Sequence, residues 1–110
     1  MGWEYGIKTT NPSILPELVA RLADAIHVTE PYRIERYENG FALLQDDPSW
    51  PKILQVSIET AAGLEDMTDG EAYVYCLFHI RGELAAGWLK HMERETKAQR
   101  YAGRLEWFEL

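Results

Sequence analysis

Apolar and polar side chains alternate over residues 3 to 9, where Trp3, Tyr5 and Ile7 stand against Glu4, Gly6 and Lys8. A period of two predicts a strand with one covered face. The period then lengthens. Leu15, Leu18, Val19, Leu22 and Ile26 recur at helical spacing, with Arg21 and Asp24 on the opposite side. That pattern predicts an amphipathic helix. Ser13 is the expected N-cap, with Pro16 and Glu17 in the first turn. The helix should stop before Pro31, because a residue preceding proline avoids helical geometry.

Residues 32 to 45 read as a hairpin turning on Asn39-Gly40. A two-residue turn there would pair Glu38 with Phe41. A three-residue loop with Gly40 in a bulge would pair Tyr37 with Phe41 and Ile34 with Leu44. The second register is preferred, since it sets apolar against apolar. Asp46-Asp47-Pro48-Ser49-Trp50-Pro51 is a loop, as two prolines and two acids do not fit inside a sheet. Residues 52 to 60 alternate again. Leu54, Val56 and Ile58 point one way, and Gln55, Ser57 and Glu59 the other.

A second acidic loop, 61 to 70, leads into residues 71 to 80. There Ala72, Val74, Cys76, Phe78 and Ile80 form one face, and Tyr73, Tyr75, Leu77 and His79 form the other. Bulk on both faces predicts a central strand. Gly82 breaks it, and residues 83 to 100 read as a helix with an inner stripe of Ala85, Trp88, Leu89, Met92 and Thr96, ended by Gly103. Residues 105 to 110 alternate as a closing strand.

The order β-α-β-β-β-β-α-β predicts an α+β fold. Its core would be a single mixed or antiparallel sheet of five or six strands with both helices on one face. One domain over residues 1–110 is expected, since a chain of this length buries roughly 65% of its unfolded surface. The other sheet face would stay partly open and present Gln55, Ser57, Glu59, Tyr73, Tyr75 and His79.

Charge changes this picture. The chain carries a formal net charge of −7. Residues 38 to 71 alone hold eight carboxylates, Glu38, Asp46, Asp47, Glu59, Glu65, Asp66, Asp69 and Glu71, against the single base Lys52. A field of that sign repels nucleic acid and anionic membrane and attracts a basic protein. No apolar run approaches the length that spans a bilayer. The first residues show neither a basic nor an apolar leader stretch, and one cysteine excludes an internal disulfide. Cytoplasm is the expected compartment.

Candidate chemistry is sparse. Cys76 and His79 lie three apart on one strand, so they leave opposite faces and form no dyad. Cys76, between Val74 and Phe78, reads as a small buried hydrophobe. His27, His79 and His91 have no ligand spacing, and the acidic loop at 65 to 71 lacks the alternation of a calcium loop. No metal or other cofactor is expected. Residues 82 to 88 stand where a phosphate-binding loop would, but Trp88 occupies the lysine position. Lys90, Arg94 and Lys97 share one helix face and read as a solvated stripe.

The remaining reading is a non-enzymatic protein-binding domain. The expected partner-binding residues are Asp46, Asp47, Trp50, Glu59, Asp66, Asp69, Tyr73, Tyr75 and His79. In size and charge alone the chain is similar to bacterial immunity proteins that block toxic nucleases, which suggests occlusion of a basic partner. That similarity transfers no residues. One alternative is a small enzyme or ligand-binding domain on the open sheet face, with His79 and Glu59 as acid and base. Another is a self-associating subunit, a homodimer formed through a terminal edge strand carrying Trp107, Phe108 and Leu110.

Overall fold

The structure is a computed structural model and describes residues 3–26, 32–49, 51–65, 67–80, 82–98, 101 and 104–110, without the Trp3 side chain. Pro31, Trp50, Asp66 and Gly103, each singled out by the sequence, lie outside the described residues. Strand β1 (Trp3–Thr9) is followed by a 3-10 turn (Pro12–Ile14) and helix α1 (Leu15–Ala25). Strands β2 (Tyr32–Tyr37), β3 (Gly40–Gln45), β4 (Lys52–Thr60) and β5 (Ala72–Phe78) come next, then helix α2 (Glu83–Thr96) and strand β6 (Leu105–Glu109). The strands form one antiparallel sheet in the order β2-β3-β4-β5-β1-β6. This is the expected α+β arrangement. β5 is central, as its two bulky faces require, and β6 is an edge.

Both helices cover one face. The stripe of α1 (Leu15, Leu18, Val19 and Leu22) and that of α2 (Ala85, Trp88 and Met92) bury against Phe41, Leu54, Val56, Val74, Cys76 and Phe78. Ring contacts extend this core toward both edges. Tyr32 meets Trp88 edge-on at 5.5 Å, and Tyr5 meets Phe78 at 6.3 Å and Trp107 at 6.1 Å. The buried polar residue Thr96 is satisfied. Its hydroxyl donates to the Glu93 carbonyl at 2.7 Å and accepts the Trp107 indole N–H at 2.7 Å. The bond ties β6 to α2. The helix ends at Thr96, four residues short of the expected boundary.

Two local expectations are corrected. Ser13 is not the cap: Asn11 caps the 3-10 turn, and α1 begins after Ile14 with no side-chain cap. The Asn11 side chain accepts from the Ser13 N–H at 3.3 Å and from its hydroxyl at 2.6 Å, and the 3-10 turn carries the chain into α1. The hairpin takes neither register considered from the sequence. Tyr37 pairs with Gly40 and Ile34 with Leu43, so Glu38-Asn39 is the turn. Gly40 is therefore a strand residue. It pairs with Tyr37 on one side and Ser57 on the other, and a Cβ there would run into the Val56 carbonyl oxygen. The glycine serves a close approach of β3 to β4 rather than a turn. The Asn39 carbonyl accepts the Ile58 N–H at 2.8 Å, which pins the turn against β4.

The opposite, outer face is half covered. The 61–71 loop folds back on it and makes a second small core, in which Ala61, Met67 and Tyr73 are buried with Leu64, Tyr75 and Phe108 packed against them. Positive φ at Gly63 (71°) and Gly70 (94°) lets the loop reverse. Bonds from Ala61 N–H to the Glu71 carbonyl (2.7 Å) and from Gly70 N–H to the Ala61 carbonyl (2.9 Å) close it. Among the described residues no helix is long and apolar enough to cross a membrane.

Candidate partner-binding face

Strand pairing places the outer-face residues in rows. Glu59 lies opposite Tyr73, Ser57 opposite Tyr75, and Gln55 opposite Leu77. On the other side of β5, Gly6 lies opposite Tyr75 and Glu4 opposite Leu77. Gln55, Ser57, Glu59, Tyr73 and Tyr75 line a depression of about 410 Å³. These are five of the seven residues that alternation on β4 and β5 assigns to this face; Leu77 and His79 are the others.

The depression is anionic as well as aromatic. The Ser57 hydroxyl donates to Glu59 Oε2 at 2.7 Å and so orients the carboxylate. Burial pushes the Tyr73 hydroxyl pKa above its ordinary 10.0, and the charges of Glu59 and Glu4 push it further. Tyr75 is raised in the same direction, first by burial, then by the charge of Glu4. Both phenols therefore stay neutral at pH 7, and both feel carboxylates. Among the described residues neither Glu4 nor Glu59 has a basic partner. Two cations of this face are engaged elsewhere, Lys8 with Glu106 at 3.6 Å and Arg33 with Asp46 at 2.8 Å, and Lys52 stands beside His79 at the far end of β4.

The expected site residues divide into two groups. Glu59, Tyr73 and Tyr75 come together, with Asp69 in the loop beside them. Tyr73 is only 7% exposed and forms the floor rather than a free anchor. Asp69 accepts the Gly63 N–H at 2.9 Å and so builds the loop. Asp46, Asp47 and His79 lie at the other end of β4. Asp47 accepts the Ser49 N–H at 2.9 Å and shapes its own turn. His79 N–H donates to the Ile53 carbonyl at 2.7 Å, and its Nε2 meets Gln55 Oε1 at 2.9 Å. Burial lowers the His79 pKa below 6.5, and the charge of Lys52 adds to the effect.

His79 and Glu59 are thus not neighbours. Glu59 stands opposite Tyr73, six residues before His79, or about 20 Å along an extended chain. The acid–base pair considered from the sequence is not assembled. Cys76 is fully buried on the helix face, and burial pushes its thiol up to about 12. A protonated, inaccessible thiol is inert at neutral pH. Among the described residues, no three His, Cys, Asp or Glu side chains converge into a metal site.

The acidic block is rearranged by the topology. Gly40 pairs with Ser57, so the Glu38-Asn39 turn lies at the same end of the sheet as Glu59 and the 61–71 loop. Glu38, Glu59, Glu65, Asp69 and Glu71 gather there, while Asp46 and Asp47 occupy the far end. Glu38, Glu65 and Glu71 are exposed. A depression of about 500 Å³ nearby mixes Lys8 and Arg104 with Glu71 and Glu106, so its charges offset.

Alternation did not reveal two contributors to this face. Glu4 and Phe108 reach it only because β1 and β6 follow β5 in the sheet. Phe108 lies over Gly6, where a Cβ would fall within its ring, and its centroid is 6.1 Å from that of Tyr73. Trp107 is bound to Thr96 and Phe108 is packed on Gly6. Of Trp107, Phe108 and Leu110, Leu110 is the most exposed, at 44%, and it follows the end of β6. Comparison with protein-family models, curated proteins and solved structures found no match to this chain.

Proposed function

We propose that this chain is a non-enzymatic, cytoplasmic binding domain that docks a basic protein on the outer face of its sheet and occludes that partner, as an immunity-type inhibitor would. One observation carries the reading. The aromatic-floored depression bounded by Glu59 opens at the end of the sheet where five acids of the block gather, and no cation lines it. Clustered surface carboxylates accelerate encounter with a cationic surface, and the half-buried Tyr75 supplies contact area at low entropic cost. The buried, unpaired Cys76 suits a reducing compartment.

The test uses Glu38→Gln/Glu65→Gln/Glu71→Gln, which removes exposed charge without touching the loop-building Asp47 and Asp69. Wild type immobilised in host lysate should retain a basic protein at about 0.05 M salt and release it at about 0.5 M. With that protein purified, the triple variant should associate about tenfold more slowly, with dissociation little changed. An unchanged association rate would refute electrostatic docking at this end of the sheet.

A further inference from the structure

The geometry points to an arginine side chain of the basic partner as the group that fills the Glu59–Tyr73–Tyr75 depression. This assignment rests on the docking proposed above and names its anchor. Three properties of the depression select the ligand. Its volume, about 410 Å³, is ample for one long side chain, and a lining with a carboxylate and no cation repels the phosphates of a nucleotide. Its floor is formed by the two tyrosines, both neutral; Tyr73 is buried, and the half-buried Tyr75 supplies the aromatic surface that a cation can meet. Its rim holds the Glu59 carboxylate, oriented by Ser57 and still able to accept further hydrogen bonds.

A metal ion does not fit this chemistry. It needs several converging oxygens, and the lining contains one carboxylate. Between the two basic side chains, guanidinium matches better than ammonium. It is planar and weakly hydrated, so it can lie on a phenol ring, and its fork of donors meets a carboxylate edge-on. Glu4, on the far side of Tyr75, adds negative potential at the ring without lining the depression. The neighbouring charges agree with this choice. Lys8 and Arg33 are held by Glu106 and Asp46, and Lys52 stands beside His79 at the far end of β4, so none of the three lines the depression.

The experiment is an NMR titration of the 15N-labelled protein with N-acetyl-arginine amide, and with the citrulline analogue as its neutral isostere. The arginine probe should shift the amides of Ser57, Glu59, Tyr73 and Tyr75, and the citrulline probe should not. The lysine amide should bind more weakly. Glu59→Gln and Tyr75→Leu should each weaken the arginine probe about fivefold or more, with the rest of the spectrum retained. Glu83→Gln, an acid on α2 away from the depression, should leave it unchanged. Equal shifts with citrulline, shifts scattered over all acidic loops, or full binding by Glu59→Gln would each overturn the assignment. Salt-sensitive capture of a basic protein that persists in Glu59→Gln would overturn the arginine anchor while leaving the docking reading intact.

Discussion

Replacing Gly6 by alanine should reverse its effect on stability according to what stands at position 108. In the native protein the Phe108 ring covers Gly6, and the new Cβ would fall within that ring. The ring must leave. Phe108 is half-buried, and burying a whole phenylalanine is worth about 1.5–3 kcal/mol, so its displacement forfeits about 1–1.5 kcal/mol. The contact with Tyr73, at 6.1 Å between centroids, goes with it and adds about 0.5 kcal/mol. Against this, alanine in a strand is better than glycine by about 0.5–1 kcal/mol. The net cost of Gly6→Ala is about 1 kcal/mol. With Phe108→Ala already present nothing remains to displace, and the same change should stabilise by about 0.5–1 kcal/mol. The cycle therefore predicts a coupling of about 1.5–2 kcal/mol. Urea unfolding of the four proteins, read from midpoints with similar slopes, measures it. Equal effects of Gly6→Ala in both backgrounds would refute the idea that Phe108 stands in for the missing side chain and holds the second core on the outer face.

Gly40→Ala should be costlier, about 2–4 kcal/mol by the same unfolding assay, because its Cβ meets the Val56 carbonyl oxygen and lies 2.8 Å from Ser57 Cα, backbone atoms that cannot swing aside. Thr96→Val keeps shape but orphans the Trp107 indole N–H, so a loss of about 1–3 kcal/mol is expected, with Thr96→Ser losing much less. Cys76, with its thiol held near 12, should react with a thiol reagent at pH 8 only at the rate of unfolding; rapid labelling of folded protein would contradict its burial. His79 should titrate below 6.5 by NMR. The folded protein then binds fewer protons than the unfolded chain around that pH, so the contribution of His79 to stability is present above pH 6.5 and lost as pH falls through the folded value.

Much of this architecture is written in local periodicity. β1 and β4 match the alternating segments residue for residue, and both helical stripes are buried as expected, except that Leu89 of α2 stays partly exposed. Period reports which side of an element is covered, and burial of that side dominates folding energy. The outer-face row Gln55, Ser57, Glu59, Tyr73 and Tyr75 is legible for the same reason: two neighbouring strands expose alternate residues. The hairpin was misread because Asn-Gly is a turn signal only when the glycine is needed for turn geometry. Here Gly40 is needed for contact with a third strand, which no local rule contains.

Sequence alone determined the elements, their buried sides, the inertness of Cys76 and the sign of the field. Tertiary structure alone decided which of these features meet. The order β5-β1-β6 brings Glu4 and Phe108 to the tyrosines from opposite ends of the chain. The pairing of β3 with β4 places Glu38 at the end of the sheet that holds Glu59, and the length of β4 keeps Asp46, Asp47 and His79 away from it. The same length undid the Glu59–His79 pair, which composition made attractive. Residue type and spacing report local preference. Proximity across strands is set by register and sheet order, and these follow from how whole faces pack.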